Sequence, residues 1–373
     1  MIEFKKYKTV IILFYIQFPI TRLNINFFKK NSSLAPMKKQ FTTIFLLFLI
    51  TEQISFVFLV NASEIKLSKK KIAIDIGHSP VHITYDLFET DYLESGNVVD
   101  EIENYTHIDD YDILLIPASK INYTSDEMTI IKTWFANADK LLWIAGDSDY
   151  AGQFISHKSI NPLLEFLDSK LRLDSGAVSD LYSNDGTGYR VIATNPGTGT
   201  IGSVVNEGVE RLLLHGPTAV YGMENGDFVD LRTETIEGIE VIFSYNDSAE
   251  MLDQDYSNTE SDFYTSLDEK GNYPAVVYED FGVSHLIVSG EVLFSSYKSM
   301  YGEEGEHGSA IQGKLFVNNL LNYFYKSKGL PFNFPIFVVS LSLISVVVFY
   351  LKQKRRWKND WNTLGIWRFI PFF

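Results

Sequence analysis

Three turns in this chain gather side chains of the types that do chemistry. Asp75 and His78 end the segment "KKIAIDIGH", Gly146-Asp147-Ser148-Asp149 follows the apolar run Leu141–Ala145, and Glu291 follows "HLIVSG". A serine hydrolase needs a hydroxyl, a base within hydrogen-bond reach and an orienting carboxylate behind that base. Ser148, His78 and Asp75 have the right types for those roles, although Tyr150 stands where the G-x-S-x-G elbow needs its second glycine. The other chemistry open to these turns is binding. Asp75, Asp147, Asp149 and Glu291 crowded at one edge would repel and hold protons unless a divalent cation or a partner's cationic group joined them, with His78 as a neutral ligand or donor at the rim.

Other motifs give less. "GTGTIG", Gly197 to Gly202, matches G-x-G-x-x-G and has Glu224 about twenty residues on. Pro196 before it and strand-like "ERLLLHG" soon after it favour a plain Gly/Thr-rich loop. "DQDYSNTESD" offers Asp253, Asp255, Glu260 and Asp262 as oxygen ligands, but Asn258 occupies the position an EF-type calcium loop gives to glycine. The seven histidines include no H-E-x-x-H, and with no cysteine in the chain thiol catalysis and thiolate metal sites are excluded.

The elements that must position these turns read as alternating strands and helices. Ile72–Ile76, "NVVDEI", "DYDILLIPAS" and Leu141–Ala145 are short apolar runs of the kind buried on both faces of a parallel sheet. A helix is expected over about 84–94. Another follows a capping box of Thr124 and Glu127, with Met128, Ile131, Trp134 and Phe135 as its buried stripe. Such alternation implies right-handed crossovers and a sheet of order 2-1-3-4-5, with ligands expected at the carboxyl ends of its strands. The later half reads as a helix near "NPLLEFLDSKL", strands at "GYRVIATN", "ERLLLHG", "IEVIFSY", "YPAVVYED" and "SHLIVSG", and a closing helix over about 309–326. No internal repeat or flexible linker interrupts it, so residues 63–328 read as one α/β domain with an elaborated C-terminal half.

Both ends read as membrane segments. Gly329 to Leu351 is 23 residues without a charge, enough at about 1.5 Å per residue to cross roughly 30 Å of hydrocarbon as a helix. The basic cluster after it places residues 352–373 in the cytoplasm and the preceding domain outside. "MKKQFTTIFLLFLITEQISFVFLVNASE" reads as a secretory signal starting at Met37 and cleaved near Ala62, with an uncleaved anchor over 1–62 as the alternative. Residues 1–36 then read as an over-extended start, against the alternative of a second signal. The expected location is the plasma membrane, in a single pass.

Residues 72–328 hold 14 basic and 43 acidic side chains, a net charge of −29, whereas residues 351–373 carry +5. The acidic part repels nucleic acid and anionic lipid and suits cations, basic proteins or neutral ligands. A solvated surface is the simpler account of the same charge. Asn104-Tyr105-Thr106, Asn122-Tyr123-Thr124 and Asn246-Asp247-Ser248 are glycosylation sequons. The tail mixes Lys and Arg with Trp357, Trp361 and Trp367, suiting a headgroup layer or a membrane partner subunit.

The series "AIDIGH", "DYDILLIPAS" with its capped helix, "KLLWIAGD", "LLLHGPTAVYG" and "HLIVSGEVLFSS" before "NNLLNYF" resembles the class I glutamine amidotransferase-like fold over about residues 70–326. More narrowly it is similar to membrane-anchored versions of unknown function and to the auxiliary subunit of gliding-motility-type ABC transporters. The resemblance implies a flavodoxin-like, doubly wound, mainly parallel sheet. It also implies a cysteine after the strand that corresponds to Leu141–Ala145. This chain has Asp147, Ser148 and Asp149 there, which puts amidotransfer out of reach. Gly146-Asp147-Ser148 with an Asp-x-x-His elsewhere resembles GDS-type esterases, with the blocks in reversed order. The expectation is a non-catalytic binding or assembly module without a resident cofactor, beside a transporter or other membrane subunit. The alternative is an anchored hydrolase using Ser148.

Overall fold

The computed structural model describes residues 69–79, 83–150, 156–254, 263–264, 267 and 270–326. Its first half is β1 (Lys71–Asp75), α1 (Asp86–Glu94), β2 (Val98–Ile102), β3 (Ile113–Ile116), α2 (Ser125–Phe135), β4 (Leu141–Ala145) and α3 (His157–Phe166). The second half is β5 (Leu171–Leu173), β6 (Ala177–Ser179), β7 (Arg190–Ala193), β8 (Asn195–Pro196), α4 (Gly202–Val205), β9 (Leu212–His215), β10 (Val220–Glu224), β11 (Asp227–Val229), β12 (Ile239–Ser244), β13 (Glu250–Leu252), β14 (Pro274–Asp280), β15 (His285–Ser289) and α5 (Gly313–Lys326).

The central sheet has the order β2-β1-β3-β4-β15-β14-β12-β8. Its first five strands are parallel, in the flavodoxin-like order with β15 as the fifth, so the protein is α/β with a mostly parallel central sheet. The remaining three strands join antiparallel, an extension the apolar runs did not reveal because a strand buried on both faces reads alike in either direction.

Strand alternation divides the core. Ile72, Ile74, Leu115, Trp143 and Ile287 face one side with Phe88 and Tyr92 of α1 and Phe316 and Leu320 of α5. Ala73, Leu114, Ile116, Leu142, Ile144 and Val288 face the other, against Ile131 and Trp134 of α2 and Ile160 and Leu163 of α3. Both faces are therefore covered. Truncating Trp143, wholly buried, to Ala would cost about 3–5 kcal/mol.

The capping box of α2 forms as the sequence implies. Thr124 Oγ1 accepts from the Glu127 N–H at 3.3 Å, and the Thr124 N–H donates to Glu127 Oε2 at 2.8 Å. Helix α3 begins four residues before Asn161 and ends at Phe166, earlier than the apolar pattern suggested, and carries Pro162 inside it. Three small antiparallel sheets, β11-β10-β5, β13-β6 and β7-β9, make up the elaborated half. Among the described residues no helix is long and apolar enough to cross a membrane. The expected signal over 1–62, the span Gly329–Leu351 and the basic tail lie outside those residues, as does most of the acidic loop 253–262.

Candidate functional site

Each of the three turns sits just past a strand, and the sheet order separates them into two clusters. At the end of β1, Asp75 is buried, and its carboxyl group is the centre of a polar network. Tyr105 Oη donates to Asp75 Oδ2 at 2.6 Å and Tyr123 Oη at 3.2 Å. His78 Nδ1 lies 3.0 Å from the same oxygen, and the His78 N–H donates to Oδ1 at 3.3 Å. The other imidazole nitrogen, Nε2, is 3.5 Å from Glu127 Oε1, so the cap of α2 also holds the histidine. Tyr123 stacks on the imidazole with ring centres 4.3 Å apart. Burial alone would lower the His78 pKa, but Asp75 and Glu127 outweigh it and raise it. Burial would raise Glu127, yet the Thr124 N–H and hydroxyl together with His78 bring it below the usual carboxylate range.

The second cluster lies at the ends of β4 and β15. These strands are parallel neighbours, with Ala145 paired to Ser289. Ala145-Gly146-Asp147 and Ser289-Gly290-Glu291 therefore run side by side and bring Asp147 and Glu291 to the same level. Trp143 Nε1 donates to Ser289 Oγ at 2.9 Å, and that hydroxyl donates to the Glu291 carbonyl at 2.8 Å, which fixes the turn. Gly290 is required there, since a Cβ would lie 1.9 Å from the Thr218 carbonyl oxygen.

The two acids have matching and meagre partners. Asp147 Oδ1 accepts from the Ser148 N–H at 2.8 Å, and Glu291 Oε1 accepts from the Val292 N–H at 2.7 Å. Among the described residues neither acid receives another hydrogen bond or an ion pair. Burial drives both upward, and the nearby Asp147 raises Glu291 further. Asp147 is pushed up to about 8, eased by the Ser148 N–H and Lys120 and raised further by Asp149, and Glu291 is pushed well above the usual range. Asp147 thus retains its proton at neutral pH.

Both acids line a cavity of about 630 Å3, within the range of small-molecule sites. Its walls include Ser148, Tyr150, Tyr189, His215, Tyr297 and Lys298. Tyr189 and Tyr297 each meet His215 edge-on, at 5.3 and 5.2 Å. Burial, with Arg190 nearby, pushes His215 down to about 4, so its imidazole is neutral. Lys298 and Ser299 are consecutive non-glycine residues with φ of 52° and 65°, a strained stretch of backbone at the cavity rim.

Of the residues expected to share one crevice, Asp75 and His78 stand in the network at the end of β1, while Asp147 and Asp149 lie past β4. Strand β3 lies between β1 and β4, and the chain leaving it closes over His78, whose carbonyl accepts from the Lys120 N–H at 2.9 Å. Asp149 is buried and turned to the Gln254 N–H, which donates to its Oδ2 at 2.9 Å. Nor is the Ser148–His78–Asp75 relay assembled. Ser148 Oγ accepts from the Tyr150 N–H at 3.4 Å, whereas the His78 nitrogens face Asp75 and Glu127. No group of three or more His, Asp or Glu able to hold a metal ion occurs among the described residues.

At "GTGTIG" the chain itself supplies the anion. Glu240 Oε1 accepts from the Ile201 and Gly202 N–H groups at 3.0 and 2.6 Å, filling the place a phosphate would take. Asn104 and Asn122 are exposed, whereas Asn246 is half-buried and accepts from the Thr194 hydroxyl.

No protein-family model and no curated protein matches this sequence. Among solved structures, the N-terminal domain of mmIFT52 is similar at 10% identity and a TM-score of 0.48, covering 68% of this chain and 96% of that one. A GMP synthase-like protein from Thermoplasma acidophilum aligns at 8% identity and a TM-score of 0.32, over 69% and 95% of the two chains. The cold-adapted β-galactosidase from Rahnella sp. R3 aligns at 12% identity and 0.32, over 71% of this chain and 32% of its own.

Sequence reasoning passed over Tyr105, Tyr123 and the cavity wall. The signal for the first two was present, since both are the middle residue of an Asn-Tyr-Thr triplet. A second signal was the repeated small-Gly-acid ending of β4 and β15. Nothing in the spacing pointed to Tyr189, His215 or Lys298, which reach the cavity from the elaborated half.

Proposed function

We propose that this chain is a non-catalytic binding or assembly module, carried outside the plasma membrane on a single span at Gly329–Leu351 and acting beside a transporter-type membrane subunit. Its ligand-taking surface is the cavity between the ends of β4 and β15. One observation carries the reading: the cavity offers a pair of acids and aromatic walls but no activated nucleophile among the described residues. Ser148 Oγ has no imidazole or carboxylate hydrogen-bonded to it among the described residues, and the chain has no cysteine. The loose amidotransferase-like pattern of the strands, without that family's thiol, agrees with a domain that keeps the crevice and has no use for the reaction.

The full-length chain in mild detergent, assayed against short-chain esters, should show no turnover above the Ser148→Ala variant. Turnover lost on that substitution by several orders of magnitude would replace the binding reading with a hydrolase. Topology is tested separately. Protease added to intact cells should digest the domain and spare an epitope placed after Phe373, and loss of the epitope would reverse the orientation.

A further inference from the structure

We infer that the cavity between β4 and β15 is a recognition site for a small organic ammonium ion, seated between Asp147 and Glu291 with its apolar body against the tyrosine walls. The inference rests on the reading of this cavity as a binding site and adds the class of ligand. It begins from the register. Adjacent parallel strands ending in Gly-Asp and Gly-Glu bring two carboxyl groups to the wall of one cavity. Glu291 is only 4% exposed, yet it lines the cavity, and its second carboxyl oxygen has no hydrogen-bond donor among the described residues. The second oxygen of Asp147 is in the same position.

Withdrawing a buried and a half-buried acid from water with one backbone donor each is costly, and an ammonium group with three N–H donors supplies what their second oxygens lack. The chain's own cations do not fill that role. Lys298 Nζ is 3.4 Å from Glu306, Arg190 spans Asp185 and Glu306, and Lys120 acts on Asp147 through its charge. Of the other groups facing the pair, Asp149 adds negative charge beside Asp147, while Tyr245 and His215 are neutral near pH 7. The net field favours a cation.

The walls narrow the class further. Tyr150 and Tyr189 are 60% and 53% exposed, large rings left open at the mouth of a charged site, and the ring faces of tyrosine attract organic cations. A bare metal ion would leave most of the 630 Å3 unfilled and would find only two carboxylates.

An arriving ammonium ion converts a proton-holding pair into a carboxylate that pairs with it, so binding releases a proton. Below about pH 8, where Asp147 retains its proton, apparent affinity should rise about tenfold for each pH unit, the slope of one proton released per ligand bound.

The probe is benzylammonium, titrated into the full-length chain in mild detergent by calorimetry from pH 5.5 to 7.5, with benzyl alcohol, glucose and calcium as parallel arms. The expected results are binding of benzylammonium with that slope, a higher unfolding midpoint in its presence, and loss of both in D147N/E291Q. Removing ring surface in Y189A should weaken binding about tenfold. Equal binding of benzyl alcohol, retention in D147N/E291Q, or a flat pH profile each overturns the ammonium assignment. Binding of glucose or calcium in place of benzylammonium, lost in D147N/E291Q, also overturns it while leaving the cavity a binding site. Ester turnover that vanishes in S148A would remove the binding reading itself.

Discussion

Two clusters of acid stand on one edge of one sheet, a few strands apart, and they have opposite energetics. Asp75, at the end of β1, receives two phenolic hydroxyls, an imidazole and a backbone N–H, and the imidazole it orients continues to Glu127 at the cap of α2. Asp147 and Glu291, at the ends of β4 and β15, each receive among the described residues only the N–H of the next residue, and both line one cavity. A buried acid surrounded by donors is part of the fold. A buried pair short of donors is held in place by the rest of the fold and is completed by something that binds. Residue type and position at a strand end were the same in both, so donor supply is what separates framework from site.

The largest effect that could break this contrast is Asp75→Asn. Removing the charged partner of His78 and two tyrosines from a fully buried network should destabilise the full-length chain by about 3 kcal/mol, read as a fall in the denaturant midpoint. A loss under about 0.5 kcal/mol would mean that the network is incidental.

The next effect is on pH dependence. Burial pushes Asp147 up to about 8 in the folded chain, from 3.8 for the free side chain. The folded state therefore binds more protons across that window, and stability falls as pH rises from about 4 to about 8. Asp147 alone contributes a slope approaching about 1.4 kcal/mol per pH unit, and Asp147→Asn should remove that contribution while leaving that of Glu291. His78, raised above 6.5, contributes in the same direction but higher. Its stabilisation is complete below about 6.5 and lost as pH rises through the folded value, so His78→Gln should change the profile only on the alkaline side.

Smaller changes sharpen the picture. Thr124→Ala removes the cap of α2 and loosens the carboxylate that faces His78, for about 1 kcal/mol by chemical denaturation. Ser148→Ala should alter the stability by less than about 0.5 kcal/mol, because among the described residues its hydroxyl makes only the long contact with the Tyr150 N–H.

Much of the fold was legible. The uninterrupted apolar runs of β1, β3 and β4 and the Thr124–Glu127 cap gave the parallel half, because local pattern suffices where each strand is covered on both faces. The direction of β12 and β14 was not legible, since "IEVIFSY" and "YPAVVYED" have the same apolar continuity and pairing partners are chosen at long range. The site was half legible. Strand-end acids could be named from "AGD" and "SGE", but whether Asp75 or Asp147 would find donors depended on Tyr105 and Tyr123 arriving from other loops. The cavity wall was hidden for the same reason, as Tyr189 and His215 come from β7 and β9 and their flanking turns.

The most direct test compares D75N with D147N/E291Q in the full-length chain at pH 8, by equilibrium unfolding in mild detergent. The account predicts opposite signs. D75N should lose about 3 kcal/mol, because an amide NH2 replaces one acceptor oxygen among the donors, whereas D147N/E291Q should gain roughly 2 kcal/mol, because acids that hold protons in the folded chain but ionise in the unfolded one become amides that need none. Destabilisation of both by similar amounts would contradict it, and would make Asp147 and Glu291 as much a part of the framework as Asp75.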